Sequence, residues 1–256
     1  MSRCRTAAWL CLILLLAACG RNTPAGPGSS TGEILALKLQ TEHFRLLAGG
    51  ASQAVVQSVA DALEANCARI AADLDVTDLR PTTVEIWTDA ESFYRDMEAT
   101  SGRRWEGSAG YVKGPAHLSI LAQSGAPTQA AVHEFVHCVS LRLNPTIANN
   151  PRWLWETVAL YENGQFVDPR TLSYLVAGSF PTLPLLNSDF AVSRQVYQVG
   201  YVLGEFIVAT WGQAALVRLV RTNGAIEQVL GVSVGTFEER WQTFVRAKYL
   251  LPTTGL

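Results

Sequence analysis

Apolar positions change their period along this chain. Between residues 37 and 47 they alternate, with Leu37, Leu39, Phe44 and Leu46 set among polar neighbours, the two-residue period of a half-buried strand that Gly49-Gly50 then turns. From residue 52 to 74 the step lengthens to three and four through Val55, Val56, Val59, Leu63, Cys67, Ile70 and Leu74, which predicts a long amphipathic helix. Pro81 introduces a short β-branched strand over 82–87, and Asp89 stands where it caps a helix carrying Phe93, Tyr94 and Met97. Glycines at 102, 107, 110 and 114 punctuate a loop and two strands, 108–112 and 117–121, that pair as a hairpin around 113–116. Pro127 and Thr128 open a helix that runs to Leu143 and stops at Asn144-Pro145; a second covers 152–162 behind Pro151 and ends at Asn163-Gly164. A helical piece over 170–177, a proline-bearing loop over 180–184 and helices over 193–210, 213–222, 225–230 and 234–250 complete the chain. Strands gather before residue 127 and helices after it. The expected class is therefore α+β, a small mixed N-terminal sheet with helices followed by a mostly helical C-terminal half, rather than a doubly wound sheet.

The first residues stand outside this pattern. Arg3 and Arg5 precede an apolar run over 7–18 that is too short to span a bilayer, and Leu16-Ala17-Ala18-Cys19 follows. Small residues before a cysteine resemble a bacterial lipobox, which implies cleavage before Cys19 and lipidation of its thiol; an ordinary secretory signal is the alternative. Both readings make the mature protein extracytoplasmic, and the first anchors it to a membrane, with Gly20 favouring the outer membrane if the cell is a diderm. Residues 1–18 are thus expected as a lipoprotein-type signal peptide, 19–33 as a Pro/Gly/Ser/Thr-rich tether, and 34–252 as one domain. The 256 residues, 48% of them hydrophobic, supply a sizeable core, and a formal charge of −2 gives no footing for nucleic acid. Cys4 and Cys11 leave with the leader. Cys67 and Cys138 remain, as a disulfide or as two buried thiols.

Within the helix opened by Pro127 lies His133-Glu134-Phe135-Val136-His137. Imidazoles four positions apart share one helix face and can both reach a zinc ion, while Glu134, turned by about 100°, is placed to act as a general base on a water held by the metal. A catalytic zinc takes a third protein ligand. Glu156, Glu162, Asp168 and Glu205 follow, and Glu156 is favoured because it stands among Trp153, Leu154, Trp155, Val158 and Leu160, where a lone carboxylate is costly unless it meets a cation. A salt bridge to Arg152, one turn earlier, is the competing reading. Glu162, near the helix end, is expected to face solvent, His43 to be an exposed strand residue, and His117 to be structural or to line a rim.

The pair of motifs, His133-Glu-Phe-Val-His137 and Trp153-Leu-Trp-Glu156-Thr-Val-Ala159-Leu-Tyr161, resembles the gluzincin metallopeptidases of the thermolysin-like superfamily, above all their bacterial extracytoplasmic peptidase-MA-like branch. The resemblance runs loosely over about residues 36–250. It implies a zincin-like fold and a zinc-dependent peptidase acting on a peptide or protein substrate, with Zn²⁺ on His133, His137 and Glu156, and Glu134 as base. It also implies an oxyanion donor from a later helix, where Tyr197 occupies the place often taken by a family tyrosine and Tyr201 lies one turn on; tyrosines that merely pack are the alternative for both. A strand before the first motif would border the substrate cleft, here 116–121. One position departs from the pattern: the glycine after the zinc-ligand glutamate is Thr157. That departure and the unsettled choice of oxyanion donor leave a second function open, a catalytically weak or inactive zincin-fold envelope lipoprotein serving as a binding or assembly factor.

Overall fold

The computed structural model describes residues 32–189 and 192–251, so the leader, the lipobox and Cys19 lie outside the described residues. The compact unit that holds the elements begins at Glu33. Its carboxylate accepts four hydrogen bonds, from the backbone of Gly50, Thr88 and Asp89 and from the Thr88 hydroxyl, at 2.7–2.9 Å. One side chain thereby ties the start of the domain to two loops at the same end of the sheet.

Five strands form a mixed sheet in the order β1 (Ala36–Gln40), β2 (Phe44–Ala48), β3 (Thr82–Trp87), β5 (His117–Leu121), β4 (Gly110–Gly114). The β1–β2 and β4–β5 pairs are antiparallel hairpins, and β2, β3 and β5 run parallel. Residues 37–47, read as one strand, thus divide at Thr41–His43. His43 sits in that turn and is half-buried, with Nδ1 2.7 Å from Glu64 Oε2 of the helix beneath.

Helix α1 (Gln53–Asp73), capped by the Ser52 hydroxyl, crosses from β2 to β3 and covers one face of the sheet with Val56, Val59, Leu63, Cys67 and Ile70. Its counterparts on the strands, Phe44, Leu46, Val84, Ile86, Leu118 and Ile120, are fully buried. Helix α2 (Ala90–Ser101), capped by Asp89, lies on the opposite face over Trp87, Tyr111 and Leu121. Helix α3 (Pro127–Leu143) then packs beside α1 on the first face, against β5 and β4. From there the chain is helical: α4 (Arg152–Glu162), short turns α5 (Ser173–Val176) and α6 (Leu183–Leu186), then α7 (Val196–Trp211), α8 (Gln213–Arg221), α9 (Ile226–Leu230) and α10 (Val234–Val245). The proline-bearing loop contains α6, and the last predicted helix ends in a wider π turn over Arg246–Leu250. The architecture is α+β. Among the described residues no single helix is long and apolar enough to cross a membrane.

Cys67 and Cys138 are both buried and both free. Burial pushes their thiols up, to about 11 and about 12, so neither is a reactive thiolate at neutral pH.

Candidate metal centre

The site is assembled from two buried helices. Every residue of α3 from Ala130 to Leu141 is buried, and every residue of α4 except Tyr161. Such helices carry polar side chains only where something compensates their desolvation. On α3, His133 and His137 stand one turn apart with ring centroids 4.8 Å from each other. On α4, Glu156 points between them: its Oε2 is 3.3 Å from His133 Nε2 and 3.8 Å from His137 Nε2. The three ligand atoms lie within 4.8 Å of one another. A tetrahedral zinc with bonds near 2 Å separates its ligand atoms by about 3.3 Å, so the spacing suits a first-row divalent cation. Glu156 Oε2 is buried and accepts no hydrogen bond, the state expected of an oxygen kept for a cation. Arg152 does not neutralise it by a salt bridge; the guanidinium donates instead to the carbonyls of Ser188 and Ser193 at 2.5 and 3.3 Å.

A second layer holds these groups in place. His133 Nδ1 lies 2.8 Å from Gln165 Oε1, and since an amide oxygen only accepts, Nδ1 carries a hydrogen, which leaves Nε2 as the nitrogen that faces Glu156 and that a cation would take once it is deprotonated. Gln165 reaches this position through the stop signal of α4. Gly164, at φ 68°, turns the chain, Gly164 N donates to Tyr161 O, and Gln165 N donates to Leu160 O at 2.9 Å, the paired bonds of a Schellman end. Sequence reading identified the stop but not what it delivers. His137 lies flat on Trp155 at 3.9 Å, and its Nδ1 has no hydrogen-bond partner. The Tyr197 hydroxyl of α7 donates to Glu156 Oε1 at 3.1 Å.

Glu134 leaves α3 toward β4, where its side chain lies across Gly110; a methyl group built there would meet Glu134 Cγ at 2.7 Å. Burial lifts this carboxyl to about 8, with the charge of Glu156 adding and that of His133 opposing. Glu156 is held far below the carboxylate range: burial opposes ionisation, but the two imidazoles that face its Oε2, and their charges, outweigh it. The two histidines separate. Burial acts to lower both, yet the Glu156 bond and the charges of Glu134 and Glu156 carry His133 upward, whereas His137 falls. Two carboxyls and two imidazoles are therefore crowded together in a buried space, an arrangement a divalent cation would stabilise.

The other candidates go elsewhere. Glu162 is 3% exposed, which corrects the expectation that it faces solvent: Arg69 of α1 and Gln213 of α8 both reach in to its carboxylate, at 2.9 Å. Glu205 pairs with Lys248 and Tyr249, and Asp168 with Arg170. His117 bonds to Glu85 on the α2 face of the sheet, away from the metal side. Thr157 is wholly buried where α4 meets α7, with its Cα 3.4 Å from a methyl built on Gly200, so it does not narrow any cleft. The strand expected to border a cleft, 116–121, becomes β5, which is paired on both sides; among the described residues the strand at the sheet edge next to Glu134 is β4. Among the described residues, His133, His137 and Glu156 form the one group of three such side chains spaced to hold a metal.

No known family model and no curated protein matches this chain. The group offers two imidazole nitrogens and one carboxylate oxygen, a donor set suited to zinc, beside the second carboxyl of Glu134.

Proposed function

We propose that this chain is an extracytoplasmic zinc-dependent peptidase of the gluzincin type, with a zincin-like domain tethered to the membrane through lipidated Cys19. The observation that carries the reading is the convergence of His133 Nε2, His137 Nε2 and Glu156 Oε2 on one point, with Glu134 alongside and in no ion pair with a lysine or arginine. When bound, zinc supplies Lewis acidity to the scissile carbonyl and to a water.

The chain's own groups do the rest. Gln165 keeps His133 in the tautomer that presents Nε2. The outer edge of β4, with no further strand on it among the described residues, offers backbone groups to an extended peptide beside Glu134, where the Gly110 carbonyl already accepts the Ser108 hydroxyl at 2.7 Å. Glu134 takes a proton from the attacking water and returns it to the leaving amine, a role that needs its carboxyl ionised, as a neighbouring divalent cation favours. The alternative of an inactive binding or assembly factor has two motives: Thr157, which packs against α7, and the oxyanion donor, for which the Tyr197 hydroxyl, bonded to Glu156, keeps the alternative open.

Metal content and peptide hydrolysis, measured together, test the reading. The purified protein should hold about one equivalent of zinc, and Glu156→Ala should lose most of it. Glu134→Gln should keep the metal while peptide turnover falls by about three orders of magnitude or more. A metal-free wild-type protein, or unchanged turnover in Glu134→Gln, rejects it. Bound zinc without hydrolysis of any member of a peptide library favours the binding factor.

A further inference from the structure

The two oxygens of Glu156 have different surroundings. Oε1 accepts the Tyr197 hydroxyl at 3.1 Å. Oε2 faces His133 Nε2 and His137 Nε2, is buried, and has no hydrogen-bond partner. A glutamate near a cation is free to rotate its carboxylate and offer one oxygen or both, so an unsupported ligand has no defined geometry. Here the rotation is blocked from one side.

Tyr197 is itself held. The Arg152 guanidinium lies 5.5 Å from its ring centroid, and Arg152 is tied by its side chain to the Ser188 and Ser193 carbonyls and by its backbone N–H to Asn187 Oδ1. Arg152 and Glu156 stand one turn apart on α4, so the helix that supplies the ligand also braces the tyrosine that orients it. The contact also bears on the role expected from sequence. A hydroxyl committed to Glu156 is not directed at a substrate oxygen.

We propose that Tyr197 is a positioning residue of the metal centre, holding Glu156 by Oε1 so that Oε2 alone is presented to the cation. The proposal rests on the metal-binding reading of the site, not on the peptidase reading. Tyr197→Phe removes one oxygen and keeps the ring against Arg152. Its zinc dissociation constant, measured by competition with a chromophoric chelator, should rise about 10- to 100-fold. The cobalt-substituted variant should show weaker visible bands than wild type, as a carboxylate released to chelate raises the coordination number. Tyr201→Phe, one turn along α7 and packed on Tyr161 and Phe166, is the control and should change neither quantity. Wild-type affinity and spectrum in Tyr197→Phe, with or without a fall in turnover, overturn the proposal; a fall in turnover alone returns the hydroxyl to the substrate. If that variant does not fold, a crystal structure of the zinc-loaded wild-type protein decides: Glu156 bound through both oxygens, with Tyr197 detached, overturns it equally. A wild-type protein that takes up neither zinc nor cobalt removes the metal centre itself. One that binds zinc but cleaves nothing leaves this inference standing and rejects only the reaction.

Discussion

A methyl group at Gly110 would lie 2.7 Å from Glu134 Cγ and 2.9 Å from its Oε1, closer than non-bonded atoms approach, so strand β4 sets where the Glu134 carboxyl, the proposed base, can stand. Gly110→Ala should push the carboxylate aside by several tenths of an ångström to an ångström. The displaced atoms are the far end of a flexible side chain, which makes the change cheap for folding but not for catalysis, where misplacement by 1 Å costs about 100-fold. Turnover should therefore fall 10- to 100-fold in a protein that keeps its zinc and melts within about 2 °C of wild type; loss of metal instead would place Gly110 in support of the ligands. The meeting of His133 with His137, and the turning of Glu134 away from them, are legible in the sequence because both follow from helical spacing alone. Glu156 is legible because an acid among tryptophans needs a cation. Gln165 and the Tyr197 contact are not, since one depends on the turn that ends α4 and the other on how α7 crosses it, and neither geometry is written in a local pattern.

Between elements, the crossing of α4 and α7 decides whether Glu156 and Tyr197 meet, and it is built on two glycines. Methyl groups at Gly200 and Gly204 would sit 2.5 Å from Leu160 Cδ1 and 2.6 Å from Tyr161 Cβ. In sequence, Thr157 looks like the loss of a small residue from α4. In the structure the small residues are on α7, so the close approach is kept from the other side. Glu162 was misjudged for a related reason: its place near a helix end suggests solvent, but α4 is buried nearly all round and its last turn meets α1 and α8. Gly204→Ala should destabilise by about 1–3 kcal/mol, because Tyr161 Cβ cannot swing away and the gain in helix propensity, about 1 kcal/mol, is smaller than the clash. The melting temperature should drop by roughly 3–8 °C. Gly235→Ala, in α10 with nothing within 4 Å of the added methyl, should hold or raise it. Equal responses at the two positions would show that α4 and α7 do not need this spacing.

Across the whole molecule, the sheet must hold β4 in register for Gly110 to meet Glu134, and the face covered by α2 does this with charge as well as apolar packing. Lys113 of β4 lies 2.6 Å from both Glu85 of β3 and Asp96 of α2; His117 and Ser119 of β5 reach Glu85 at 3.0 and 2.7 Å. Both strands beyond β3 thus reach one carboxylate that is 13% exposed, and Lys113 carries the link on to α2. Burial acts to raise Glu85, but the hydrogen bonds from His117, Lys113 and Ser119 and the Lys113 charge outweigh it, bringing the group from 4.5 to about 2. A carboxyl depressed in the folded state stabilises fully above its unfolded value, near 4.5, and loses that contribution as pH falls through that range toward 2. The shift corresponds to about 3 kcal/mol at most, of which about 2 should be gone by pH 3. Urea unfolding followed by circular dichroism between pH 6 and pH 3 should therefore show stability declining with acid in the wild-type protein. Glu85→Gln should be less stable at pH 6, because Lys113 loses a charged partner, and its decline toward pH 3 should be shallower by about 2 kcal/mol. Parallel profiles for the two proteins would mean that the sheet draws no pH-dependent support from Glu85, and that β4 is held beside the metal site by its backbone pairing and apolar contacts alone.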